Sequence, residues 1–234
     1  MKYFPNLIVL LVASIFINAC SKTFNTDWDL NGLQGKVKTV TENQYKPEKK
    51  EGTWFKSDKL LLSTQSTFTS DGYLESIENF DRTKELKERS SLKIENGKIQ
   101  QETRYDLNGK PISRSEYIYV SATEFEISIY NEAGEKVAVV KNTIQGDRIV
   151  KRTQEMLKDG ENIRTIKSSM EYNTNRHLVR QKDEFPNGNI VIIDFEYLEL
   201  DAHRNWIKRL DYAYLEGEKE RPVKRVVTRT YEYY

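Results

Sequence analysis

From Val37 onward, apolar and polar positions alternate in short runs. In 190–197, Val191, Ile193, Phe195 and Tyr197 fall on one side, and Ile190, Ile192, Asp194 and Glu196 on the other. In 206–215, Ile207, Arg209, Asp211, Ala213 and Leu215 alternate with Trp206, Lys208, Leu210, Tyr212 and Tyr214. A period of two is the signature of a strand. Val37–Tyr45 and Leu60–Phe68 read the same way, and helical patterns are confined to short pieces at 84–89 and 155–158. Turn pairs such as Asn108-Gly109, Ala133-Gly134, Asp159-Gly160 and Asn187-Gly188 recur about every 12–15 residues, the rhythm of short strands joined by tight hairpins. The expected fold is therefore all-β, an antiparallel up-and-down meander of about 12–14 short strands. Runs such as Lys151 to Glu155 are polar on both faces. A sheet wet on both faces points to an open or partly curled meander.

The N-terminus breaks this pattern. Leu7 to Ile17 is a run of 11 apolar or small residues behind a start carrying only Lys2. As a helix it would reach roughly 17 Å, short of the ~30 Å bilayer core. Those are the proportions of a signal peptide, with Ala19 at the cleavage position. Ile17, Asn18, Ala19 and Cys20 together resemble the lipobox of bacterial lipoproteins. Cys20 is also the only cysteine, so it has no partner for an internal disulfide. The resemblance implies acylation of Cys20 and a membrane partner met through the N-terminal acyl chains. With Ser21 following and no acidic cluster behind it, it further implies an outer-membrane protein anchored on the periplasmic face. The expected organisation is a signal over 1–19, a lipidated tether over 20–35 that becomes ordered near Trp28 and Leu30, and a single β domain over 36–234.

A second pattern repeats within the turns. Tyr105-Asp106-Leu107-Asn108-Gly109 and Tyr130-Asn131-Glu132-Ala133-Gly134 share an aromatic, a turn-forming residue and a glycine four positions on. Phe68 to Gly72 is a third copy, and 172–176 and 200–204 are worn copies with arginine in the glycine place. This resembles the tyrosine–aspartate repeats of Rhs-type proteins and of small lipoproteins built from such hairpins. It implies stacked hairpins whose aromatics align into stripes along the sheet.

Composition adds limits rather than an activity. Lys and Arg number 37 against 36 Asp and Glu, a net charge of +1, which suggests no nucleic-acid partner. The chain has two histidines, His177 and His203, and no ligand spacing for a metal. No cofactor motif, catalytic motif or catalytic residue is evident, and carboxylates such as Asp183 and Asp194 read as solvated faces. Trp206, Tyr212 and Tyr214 fall on one face of their strand and are the candidate ligand-facing aromatics. The expected role is a non-catalytic, lipid-anchored binding or scaffold module that meets an envelope protein through its sheet surface or an edge strand. The alternative is a glycan or lipid binder using those aromatics, and a hydrolase is the remote one.

Overall fold

The computed structural model describes residues 26–95, 97–146 and 148–234. Cys20 and the signal segment lie outside the described residues, as do Asn96 and Asp147. A four-residue helix, α1 (Asp27–Leu30), precedes the strands β1 (Val37–Lys50), β2 (Thr53–Phe68), β3 (Leu74–Phe80), β4 (Leu86–Glu95) and β5 (Lys98–Tyr105). These are followed by β6 (Pro111–Tyr119), β7 (Glu124–Asn131), β8 (Lys136–Gln145), β9 (Arg148–Lys158) and β10 (Glu161–Tyr172). The last are β11 (Leu178–Glu184), β12 (Ile190–Leu200), β13 (Trp206–Leu215) and β14 (Val223–Tyr233). Of the two short pieces with helical pattern, 84–89 spans the end of a turn and the start of β4, and 155–158 belongs to β9.

Each strand pairs antiparallel with its neighbour in the chain, and β14 pairs with β1, Val40 opposite Tyr231 and Gln44 opposite Val227. The all-β antiparallel meander therefore closes into a barrel of 14 strands. The expectation of an open or partly curled sheet is wrong, and its physical reason is instructive. Polar residues on the second face of each strand are not solvated; they line an interior. In Lys151 to Glu155 it is Arg152 and Gln154 that face in, paired across β8 with Asn142 and Val140. Closure also leaves no edge among these strands, so recruitment of a partner through an edge strand has no basis. On β14, Arg225 and Arg229 point inward, onto Asp211 and Glu42.

Closure equally overturns the resemblance to tyrosine–aspartate repeat lipoproteins. The shared motif is a turn, not a stacking unit. At 69–73, 81–85, 106–110, 131–135, 173–177, 185–189 and 201–205 the first residue's N–H donates to the fifth residue's carbonyl, at 2.8–2.9 Å. The fourth residue has positive φ, whether Gly109 or Gly134, or Lys84, Arg176 or Arg204. Asp or Asn leads five of these seven turns, because its side-chain oxygen accepts backbone N–H groups inside the turn, as Asp106 does from Asn108 and Lys110. The motif aromatics form no stripe. Phe68 is buried inside the barrel, whereas Tyr105 and Tyr130 face outward at the other end, against Ser91 and Arg114.

The two ends of the barrel differ. At one end, residues 26–36 run across the mouth as a strap. The Leu74 N–H donates to Asp27 Oδ2 at 2.5 Å, and the Trp28 indole N–H donates to the Val37 carbonyl at 2.7 Å. Across the ring, Gly32 lies against Arg148 and the Arg176 carbonyl. Asn205, 2% exposed, holds both the N–H and the carbonyl of Gln34. Part of the expected tether is thus folded structure from Thr26 on. Leu33 and Trp28 pack from the strap onto an inward apolar layer that includes Val40, Phe68, Leu74, Ile99, Phe125, Ile144 and Met170.

Burial raises the Asp27 carboxyl to about 7, against the pull of the Leu74 N–H. A carboxyl whose folded pKa lies above its unfolded value near 3.9 stabilises the fold at low pH and ceases to as pH rises through about 7. Asp27→Asn is therefore expected to be indistinguishable from the native chain near pH 4 and more stable at pH 8. Denaturant midpoints at the two pH values check this.

Candidate functional site

Strand pairing builds the inner wall from all fourteen strands, and it changes character along the barrel axis. Above the apolar layer it turns polar. On β1, β13 and β14, Arg209 Nε lies 2.6 Å from Asp211 Oδ1, and Arg225 lies 3.1 Å from Asp211 Oδ2. Arg229 lies 2.9 Å from Glu42, closing the seam between the first and last strands. Trp206 is caught between two guanidiniums, 4.5 Å from that of Arg209 and 4.0 Å from that of Arg229. Burial pushes the Glu42 carboxyl up, but Arg229 and Arg209 outweigh it and hold it below its ordinary value. Burial likewise pulls Arg209 down, and Asp211 more than restores it.

A second polar group crosses β4 to β6. Ser90 and Tyr117 donate to Glu102, at 2.7 and 3.3 Å, and Arg104 stands 3.7 Å from Glu102 and 3.9 Å from Glu88. A third lies on β8 to β11, where Arg152 donates to Asn142 at 2.9 Å and Gln181 to Asp183 at 2.9 Å. Burial raises the Asp183 carboxyl, opposed by hydrogen bonds from Ser168 and Gln181.

Towards the end away from the strap, the inward side chains become part-exposed. Glu88, Arg104 and Ser113 do so on one side, and Ile129, Met156, Phe185, Val191, Ile193 and Ala213 on the other. At about 4.8 Å between strands, the ring exceeds the eight-strand barrels that side chains alone fill. The interior is therefore a cup: sealed and apolar at the strap, open and part polar, part apolar at the far mouth. The outer wall is charged along its length. Lys87, Arg89, Lys93 and Glu95 of β4 and Lys167 and Glu171 of β10 all face out and are exposed. Lys or Arg at a bilayer midplane costs about 2–4 kcal/mol each, so this wall is not built to face lipid.

The expected aromatic trio is divided. Tyr212 and Tyr214 face outward, their hydroxyls donating to Glu196 at 2.5 Å and Asp194 at 2.7 Å. Trp206 is 5% exposed and faces in. A register shift between Glu199 and Leu200, opposite Lys208 and Trp206, inserts an extra residue in β13 and reverses the alternation there. On the outer wall, Trp54 from the β1–β2 hairpin packs over Leu210, Val223 and Val226. The carboxylates expected on solvated faces are also placed otherwise: Asp183 is 3% exposed inside, and Asp194, 7% exposed, is held by Arg180, Tyr214 and Arg221. His177 is buried against Tyr197, and the His203 ring lies tilted against Tyr233 at the strap, 4.2 Å between centroids. The inward charge pairs were missed because most form across strands whose register the sequence does not state. Arg209 and Asp211, two apart on one face, were the legible exception.

No family model and no curated protein matches this sequence. Among solved structures, it is similar to a porin-like protein from Bacteroides uniformis, with a TM-score of 0.46 and 10% identity, over 85% of this chain and 98% of that one. The fold assignment rests on the strand pairing of this chain itself.

Proposed function

We propose that this chain is a non-catalytic binding barrel of the bacterial outer membrane, lipid-anchored through Cys20, whose lumen takes a small amphipathic ligand. One observation carries the reading: the inner wall is apolar and sealed at the strap but part-exposed and mixed in polarity at the far mouth. Ligand sites are concave, largely apolar and set with a few placed polar groups, which describes the open half of this cup. The ligand-binding alternative is thereby preferred to a protein scaffold, and its site moves from the outer tyrosines to the lumen. The buried carboxylates are each engaged, Glu42 by Arg229, Asp211 by Arg209 and Arg225, and Asp183 by Gln181, which favours binding over acid–base chemistry. Cys20 precedes the strap by so few residues that the sealed end would sit within roughly 20 Å of the bilayer, with the mouth turned away.

The test is native mass spectrometry of the chain purified from cell envelopes. A small-molecule adduct is expected, lost in Ala213→Trp, which fills the open half, and kept in Ile118→Trp, an outer-wall control. A stoichiometric envelope protein with no small-molecule adduct would return the scaffold reading. Cys20→Ala is expected to release the protein from the membrane fraction, and retention would refute the anchor.

A further inference from the structure

The inward arginines are not equivalent. Arg209 and Arg225 share Asp211, Arg229 holds Glu42, and Arg104 stands between Glu88 and Glu102. Arg152 is bonded to Asn142 and feels the charge of Asp183. Arg164 differs. It stands near the open mouth, just beyond the Asp159-Gly160 turn, and faces in beside Met156, its partner across β9, and Ile166, the next inward residue on β10. Its guanidinium lies 5.2 Å over the Phe185 ring. No carboxylate of the described residues reaches it, whereas the inner wall's acids are taken up by other groups. Stacking on an aromatic fixes the plane of a guanidinium and leaves its N–H fork for an oxyanion. Behind it runs the part-exposed apolar side of the cup, through Met156, Val191 and Ile193.

We propose that the ligand is an anionic amphiphile, its carboxylate or phosphate head on Arg164 and its apolar body along Met156, Val191 and Ile193. This rests on the reading of the lumen as a binding site and specifies what it holds. Head and body need each other here. The guanidinium alone would attract any anion from solvent, and the apolar wall alone would not discriminate an acid from an alcohol.

Isothermal titration of the full chain in phosphatidylcholine nanodiscs, with empty nanodiscs subtracted, compares octanoate with 1-octanol. Octanoate is expected to bind about tenfold more tightly than octanol, the scale of one charge-assisted hydrogen-bonded contact near a surface. Arg164→Gln is expected to erase that difference while leaving octanol binding unchanged, and Arg164→Lys to restore part of it. Equal binding of acid and alcohol to the native chain, or an Arg164→Gln affinity for octanoate equal to the native one, overturns the proposal. If neither probe binds but an adduct sensitive to Ala213→Trp persists, the ligand class is wrong and the lumen site stands. If neither binds and no adduct is found, the lumen reading falls with it. Unchanged denaturant midpoints for the Arg164 variants exclude misfolding as the cause.

Discussion

Replacing Asp211 with alanine is expected to lower the unfolding free energy by about 3–5 kcal/mol, the cost of stripping a buried ion pair of one partner. Asp211 is 1% exposed, and it alone bridges the guanidiniums of Arg209 and Arg225. Its removal leaves two positive charges facing each other inside the barrel. Glu42, already committed to Arg229, is the nearest compensation. Urea unfolding measures the loss. The cost belongs to the unpaired charges rather than to a missing contact, so a triple variant clarifies it. Asp211→Leu with Arg209→Met and Arg225→Met is expected to recover most of the stability, because apolar groups of similar volume replace buried pairs with little loss. A triple variant as unstable as Asp211→Ala would assign the cost to packing instead.

Gly72→Ala is expected to unseat the strap and cost about 3 kcal/mol or more, combining two losses. Gly72 has φ +87°, a conformation that costs an L-residue roughly 1–2 kcal/mol. A Cβ there would also lie 2.6 Å from the Trp28 ring and 2.8 Å from Thr26 Cβ, so the indole must leave its seat and surrender apolar burial worth about 1.5–3 kcal/mol. Amide exchange at Leu74, whose N–H is held by Asp27, is expected to accelerate, whereas that at Gln154 on the far wall is not. In a Trp28→Ala background the overlap is gone, and Gly72→Ala should add only the backbone cost. A full loss in that background would show that the strap is not what Gly72 makes room for.

Much of the architecture was legible in the sequence. Alternation placed Val191, Ile193, Phe195 and Tyr197 on one face, and they do line the interior. The aromatic–Asx–x–x–Gly spacing marked real hairpins, and even Arg176 and Arg204, standing where glycine was expected, hold the same left-handed turn. Closure was not legible. It depends on β1 meeting β14, a pairing of residues such as Glu42 and Arg229 that no local pattern announces. A barrel with a polar interior and an open sheet with two wet faces carry the same alternation, since both place polar groups on each side of a strand. The divided aromatic trio has a different cause. One extra residue near Lys208 reverses the direction of Trp206, and a bulge has no signature in alternation until the partner strand is known. The course of the strap across the mouth was not legible, because its anchors, Asn205 and Gly72, lie far away in the chain.

Cysteine accessibility tests the cup most directly, since Cys20 is the only native cysteine and can be replaced by serine. Single cysteines at Ile193, inward in the open half, and at Ile144, inward beneath the strap, are treated with a water-soluble maleimide in the folded protein. The predicted result is labelling of Ile193→Cys on the timescale of an exposed control at Ile118→Cys, with Ile144→Cys silent until urea is added. Labelling of both inward sites would mean an open sheet or an unsealed end. Silence at both would mean a filled barrel with no room for a ligand.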